Sequence, residues 1–351
     1  GIFMNDENTN KLKRFAPALV GLALVFYGTL VVIVNRCNRA VSIEMQSVDA
    51  AGTLNSDVLT ITTWNIGYGG LGAESDFIAD GGEHLLPPSR SVVDKNIAGI
   101  NRELKALTAG VFIMQEVAGP SFLTRGGDTL TNVNSALDGA DNAFSADFTV
   151  RHLPYPYAPT HGLFSSVKFA GATREVVALP LEAGYLMGVA KRLYHLHVVR
   201  IAFPGGEWTI INLHLSAFDD SANVRKQQLR AVFDFAEEEF SKGQFVVIGG
   251  DWNLEFTRPA RATTTEDKDL FWIHPFPMVA LGDEWRIAVD DTTPSVRTNE
   301  RPYKRGENFT TVIDGFVVSP NVEIESVATH DTDFQYTDHH SVTAVLKASV
   351  E

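Results

Sequence analysis

The sequence predicts an α/β sandwich preceded by one transmembrane helix, and three observations carry that reading. Short runs rich in β-branched and aromatic residues recur between Val58 and Leu346. Two longer stretches have helical periodicity, and residues 15–34 contain no ionisable group apart from Tyr27. The expected strands cover residues 58–66, 111–114, 197–203, 209–213, 245–248, 312–318 and 342–346. Pro204-Gly205-Gly206-Glu207 reads as a four-residue hairpin connection between two of them. Helices are expected over 89–107 and 221–240. In the second, Val224, Leu229, Val232, Phe233, Ala236 and Phe240 form one apolar stripe, and Gly110 and Gly243 follow the two helices closely. Antiparallel connections with few long helices point to a sandwich rather than a doubly wound parallel sheet. No internal repeat or low-complexity tract interrupts the chain.

Taken in order, residues 1–14 read as an N-terminal tail, 15–34 as the transmembrane helix, 35–57 as a tether and 58–351 as the folded domain. Twenty apolar residues at about 1.5 Å each match a hydrocarbon core of about 30 Å. A cleaved signal peptide has a shorter apolar region ending in small residues, which Asn35-Arg36-Cys37-Asn38-Arg39 does not supply. A buried globular helix is seldom apolar on every face. Lys11, Lys13 and Arg14 precede the span, and Arg36 and Arg39 follow it. Three positive charges against two place the N-terminus in the cytoplasm and the folded domain outside. Eighteen tether residues from Ala40 would reach about 20 to 25 Å.

Length alone admits one or two domains. The single cysteine excludes a disulfide framework and any cysteine-based metal site. A formal net charge of −14 argues against affinity built on many duplex phosphates, because the segment up to Arg39 is basic and the remainder carries the acidity. Two long irregular stretches, 67–88 and 251–305, suggest functional loops. The glycines of the first match no nucleotide-binding loop, so it reads as a mobile rim.

Polar residues interrupt the strands at their ends. Asn65 closes the first expected strand, Glu116 the second, and His214 follows the hairpin; Asp251 and Asn253 leave a further strand, and Asp338-His339 precede the last. Singly, each has an ordinary explanation as a turn residue, a cap or a structural histidine. Asp314 is harder to explain in that way, since a carboxylate amid Val312, Ile313, Phe316 and Val317 is costly without a partner.

Taken together, Trp64-Asn65, Gln115-Glu116, Asn212-Leu213-His214-Leu215, Gly250-Asp251-Trp252-Asn253, Ile313-Asp314 and Thr337-Asp338-His339 resemble the endonuclease/exonuclease/phosphatase superfamily, the fold of deoxyribonuclease I, in family order. Trp252 and Thr337 stand where Phe and Ser are commoner, and His340 is an additional histidine. The resemblance implies a four-layered α/β sandwich of two packed, mostly antiparallel sheets flanked by helices. It implies a phosphoesterase with Glu116, Asn65 and Asp338 as metal ligands. Asp314 would orient His339, Asp251 or His339 would be the general base, Asn253 would position water or phosphate, and His214 would donate to a phosphoryl oxygen. Hard oxygen donors suit Mg²⁺, with Mn²⁺ as a substitute, better than zinc. The expected substrate is a lipid headgroup or small diester ahead of nucleic acid, met at the membrane through residues 15–34. A nuclease and a catalytically silent binding domain are the alternatives. Arg125, Lys168, Arg258, Arg261, Arg297, Arg301, Lys304 and Arg305 are candidate phosphate-binding cations.

Overall fold

Two β-α-β units, one in each of two sheets, organise the molecule. Its structure, a computed structural model, describes residues 6–37, 40–182, 191–217, 223–282 and 284–350. Arg39 and Ser221, used above as a basic flank and as a helix start, lie outside the described residues. In chain order the elements are α1 (Asp6–Cys37), β1 (Glu44–Val48), β2 (Val58–Asn65), α2 (Arg90–Ala106), β3 (Val111–Ala118), α3 (Thr129–Ala136), β4 (Asp141–Thr149), β5 (Thr160–Val167) and β6 (Thr173–Ala178). There follow β7 (His195–Phe203), β8 (Gly206–His214), α4 (Asn223–Ser241), β9 (Phe245–Asp251), β10 (Arg286–Ala288), β11 (Val296–Arg297), β12 (Thr310–Thr311), β13 (Asp314–Val318), β14 (Val322–His330) and β15 (Ser341–Ala348).

The first sheet has the order β1-β4-β5-β3-β2-β15-β14 and the second β10-β13-β9-β8-β7-β6. Each holds one parallel pair, β2 with β3 and β8 with β9, joined by the long helices α2 and α4; the other pairings in these two sheets are antiparallel. A parallel pair requires such a crossover, which explains the two helices. Ser89 caps α2 by accepting from the Val92 amide at 3.2 Å, one residue before the helix begins.

The layers follow from the apolar faces. Ile61, Ile113, Val199, Ile210, Val247 and Phe316 pack between the sheets. Leu229, Val232, Phe233 and Ala236 of α4 cover the outer face of the second sheet, and Ile100, Leu104 and Val133 of α2 and α3 cover the first. The expected α/β sandwich of two packed sheets flanked by helices is therefore the observed architecture. At its N-terminus α1 contains Ala16–Cys37, 22 residues long and apolar enough to cross a membrane. The helix continues back through residues expected to form a tail, because no Gly or Pro interrupts 6–14.

The expected tether is also changed. β1 pairs antiparallel with β4, with Glu44 opposite Phe144 and Val48 opposite Asp141. Backbone pairing drives this strand, since its side chains are mostly exposed and carry no alternating pattern. A paired strand, Glu44–Val48, thus lies within the stretch expected as a tether. The end of α1 is held too: Asn35 Nδ2 donates to the Arg151 carbonyl at 3.1 Å, Arg151 N donates to Asn35 Oδ1 at 2.8 Å, and Tyr27 donates to the His152 carbonyl. The hairpin is tighter than expected, with only Pro204-Gly205 between β7 and β8. The 67–88 stretch is a pinned wall, its carbonyls at Leu71, Gly72 and Ser75 all accepting from Arg297 Nη2 at 2.9 to 3.2 Å.

Gly249 in β9 lets the sheets approach, since a Cβ there would meet Phe316 Cδ1 at 2.5 Å and Ile113 Cδ1 at 2.8 Å. Gly249→Ala is expected to cost about 1 to 3 kcal/mol through overpacking. The check is a lower urea midpoint with an unchanged m-value.

Candidate active site

Both parallel pairs end in the same place. Asn65 is the last residue of β2, Glu116 lies near the end of β3, and His214 and Asp251 close β8 and β9 opposite one another. Carboxyl ends of parallel strands are the usual site-bearing edge of such units. The antiparallel neighbours complete the set, because β13 places Asp314 opposite Asp251, and Asp338 and His339 lead into β15 with only His340 between.

The polar residues beside these positions hold the two sheets in register. Gln115 Nε2 donates to Asn212 Oδ1 at 2.7 Å, and Asn212 Nδ2 donates to the Met114 and Phe164 carbonyls at 3.2 and 3.1 Å. Glu116 sits where the β3–β5 pairing slips, with φ +57°, and Asn253 has φ +50°. Non-glycine residues in this region are uncommon and cluster at functional sites. Gly67 is left-handed as well, at φ +51°, and a Cβ there would lie 2.9 Å from Asp338 Oδ1.

Asn65, Glu116, His214, Asp251, Asn253, Asp338 and His339 line one cleft of about 70 Å³. Asp314 lies behind it, fully buried, with Oδ2 2.8 Å from His339 Nδ1 and 2.7 Å from the donating Ser295 hydroxyl. Burial opposes the His339 imidazolium, but Asp314, Asp251 and Asp338 together raise its pKa well above the usual histidine value. Asp251 Oδ2 accepts from Asn65 Nδ2 at 2.9 Å and lies 3.3 Å from His214 Nε2 and 3.8 Å from His339 Nε2. Burial pushes the Asp251 carboxyl up to about 6, with His339 opposing. Trp64 Nε1 donates to the His339 carbonyl at 3.1 Å and keeps this turn against β2.

His214 is different. Its Nδ1 accepts from Arg192 Nη2 at 2.8 Å, which leaves the hydrogen of the neutral ring on Nε2, facing Asp251. Burial first and Arg192 second hold its pKa well below the usual value. Glu116 accepts from the Tyr68 hydroxyl at 2.8 Å. Burial pushes its carboxyl up to about 8, Arg192 lowers it and Asp338 raises it further. Asp338 in turn accepts from Asn299 Nδ2 at 2.7 Å, and the same amide reaches Asp80 at 3.0 Å. Asp80 is also raised, to about 7, by burial first.

Sequence reading missed Tyr68, Asp80, Arg192, Ser295 and Asn299, none of which ends an apolar run. Arg192 is not among the cations named from sequence. Arg192 lines the cleft, clamped by Asp147 at 2.8 Å. Of the candidates named from sequence only Arg297 does so, and its guanidinium serves backbone carbonyls. Arg258 pairs with Glu255, Arg301 with Glu300, Lys304 with Glu307 and Arg305 with Asp331 and Asp333. Arg125 and Arg261 donate to the Pro87 and Thr292 carbonyls, and Lys168 lies over the Phe112 ring.

Removing the carboxylate behind His339 should return the ring toward ordinary behaviour. Asp314→Asn is expected to lower the His339 titration midpoint by about 1 to 3 pH units in metal-free protein, read by NMR of the imidazole nitrogens.

No family model matches the sequence, and no curated protein matches it. Solved structures do. An endonuclease/exonuclease/phosphatase from Beutenbergia cavernae DSM 12333 superposes with a TM-score of 0.56 at 20% identity, covering 83% of this chain and 72% of that one. D. rerio TDP2, complexed with single strand DNA product, gives 0.50 at 13% identity over 83% and 99%. An endonuclease/exonuclease/phosphatase family protein from Bacteroides thetaiotaomicron gives 0.50 at 14% over 82% and 97%. These likenesses show that the chain carries the endonuclease/exonuclease/phosphatase fold, with an apolar helix in front of it.

Proposed function

We propose that this protein is a metal-dependent phosphoesterase working at a membrane surface on a lipid headgroup or small diester. The observation that carries the reading is the cleft itself, where Glu116 and Asp338 face His214, Asp251 and a His339 backed by a buried carboxylate. The donor set fits a hard divalent cation. Burial raises Glu116 to about 8 with Asp338 adding to it, an acidic pair that a cation would relieve. Glu116, Asp338 and the Asn65 side-chain oxygen would hold Mg²⁺, or Mn²⁺ in its place. When bound, the ion supplies charge neutralisation at the phosphate. Asp251, Asp314 and His339 also bring one donor atom each within 4.8 Å of one another, but Nδ1 of His339 is already hydrogen-bonded to Asp314. That trio suits proton handling better than metal binding.

In this reading the chain's own groups divide the labour. Asp251, hydrogen-bonded by Asn65 and by the Asn253 amide at 2.9 Å, takes the proton of the attacking water. His339, kept as imidazolium by Asp314, and the neutral Nε2–H of His214 donate to the phosphoryl and leaving oxygens. Asn253, its Nδ2 fixed on the Leu215 carbonyl at 2.9 Å, positions the water or phosphate. Residues 15–34 cross the membrane and the catalytic domain lies on its outer side, with β1 part of that domain and the loop at Arg151 and His152 reaching down the helix from Asn35 to Tyr27. The single strand DNA product in the D. rerio structure favours a second reading, a nuclease. The net charge of −14 weighs against it.

Turnover of bis-p-nitrophenyl phosphate is expected with Mg²⁺ and is expected to vanish on exhaustive chelation; undiminished turnover after chelation would refute the metal. Glu116→Gln should raise the Mg²⁺ concentration for half-maximal rate. His339→Ala should lower kcat by about 10² to 10⁴ with the fold intact by circular dichroism.

The orientation is checked by protease added to intact cells. Loss of the catalytic domain is expected, and full protection beside a digested surface control reverses the assignment.

A further inference from the structure

A second cavity, of about 180 Å³, adjoins the catalytic cleft, and the two share Tyr68, Leu71 and Phe77 as walls. Beyond that shared wall the lining changes character, to Leu86, Pro87, Leu123 and Phe148. The two ionisable groups on this wall are engaged elsewhere, Asp76 with His84 at 2.9 Å and His161 with Asp147 at 2.9 Å. A cavity of about 150 Å³ with apolar walls is large enough for a benzene-sized guest. A charged cleft running into an apolar cavity suits a substrate that is anionic at one end and hydrocarbon at the other.

The connection between β4 and β5 says where such a substrate would come from. At one end Arg151 exchanges two hydrogen bonds with Asn35 of α1. At the other, Pro159, Thr160 and His161 form a wall of the cavity. Between them Tyr155 and Tyr157 are 70% and 58% exposed, and Tyr157 leans on the ring of Phe122 at 6.0 Å. Leu85 at the cavity is itself 56% exposed. Tyrosines with a wet tip and an apolar body are the residues of a membrane–water interface. The same ten residues thus join the apolar helix to the cavity wall.

We propose that this cavity receives an aliphatic chain of a membrane-resident phosphoester whose phosphate occupies the adjoining cleft. The inference rests on the phosphoesterase reading above. Leu86 and Leu123, both half-buried, set the preference for the chain without touching the phosphate.

The test uses the full chain in one non-ionic detergent at fixed concentration, with Mg²⁺ and three p-nitrophenyl phosphodiesters bearing a methyl, an octyl or a thymidine 5′ substituent. In each, water attacks phosphorus, the bond to the aryl oxygen breaks, p-nitrophenolate leaves with the bond's electrons, and the water's proton passes to the base and then to solvent. The octyl ester should exceed the methyl ester in kcat/KM by at least about tenfold, equivalent to about 1.4 kcal/mol. Leu86→Glu and Leu123→Glu should each cut that ratio by about fivefold or more. Because the ratio is taken within one protein, partial unfolding lowers both rates and leaves it unchanged. A wild-type ratio within about twofold overturns the proposal, as does a ratio that survives both substitutions or a thymidine ester faster than the octyl ester. Turnover of the three esters at equal efficiency removes the chain site and leaves the phosphoesterase standing. No turnover of any ester removes both.

Discussion

Carboxylates taken out of water where two sheets meet dictate much of the surrounding structure. A buried anion is tolerated only when donors or cations answer it. Asp314 is answered by Ser295 and His339, and Asp251 by Asn65 and the Asn253 amide. Asp147 is answered by Arg192 and His161, which together overcome burial and hold its pKa below the usual range. Glu116 is answered least, by one tyrosine hydroxyl and a more distant arginine, and stays near 8. Environments that push neighbouring groups apart in this way assign different chemical tasks to side chains of the same kind.

The same economy explains the polar pair inside an otherwise apolar interface. Gln115 and Asn212 use their amides on each other and on the Met114 and Phe164 carbonyls, so neither is left unsatisfied between the sheets. Apolar contacts such as Ile113 against Phe316 tolerate sliding, whereas a donor and acceptor pair has one register. Fixing that register fixes Glu116 and His214, which are the next residues but one or nearer along the same strands.

Much of this was legible because the sequence is locally consistent. Helix α2 was bounded to within a residue by Ser89 and Leu107, and the strands found were those with uninterrupted β-branched runs. Strands β1, β4, β5, β6, β10, β11, β12 and β14 were not found, since they are only two or three residues long, or their buried faces carry serine, histidine and asparagine, or their side chains are largely exposed and pairing alone makes them strands. At the site, residues that end a strand stood out against their apolar neighbours. Tyr68, Asp80 and Asn299 did not, because they reach the cleft from single 3-10 turns and a loop, too short to carry a periodic signature. Arg192 was missed for a related reason: its partners Asp147 and His214 are 45 and 22 positions away.

Strand β15 lies between β2 and β14 in the first sheet, with Val342 opposite Thr63. During synthesis β2 therefore emerges long before the strand that covers its free edge, and the ribosome must supply some 280 further residues first. A nascent chain in that interval presents an open strand edge, which invites holding by chaperones or capture by another nascent chain. It also lacks His339, which arrives just ahead of β15. The cleft consequently cannot be completed before β15 is made, and its assembly coincides with closure of the sheet.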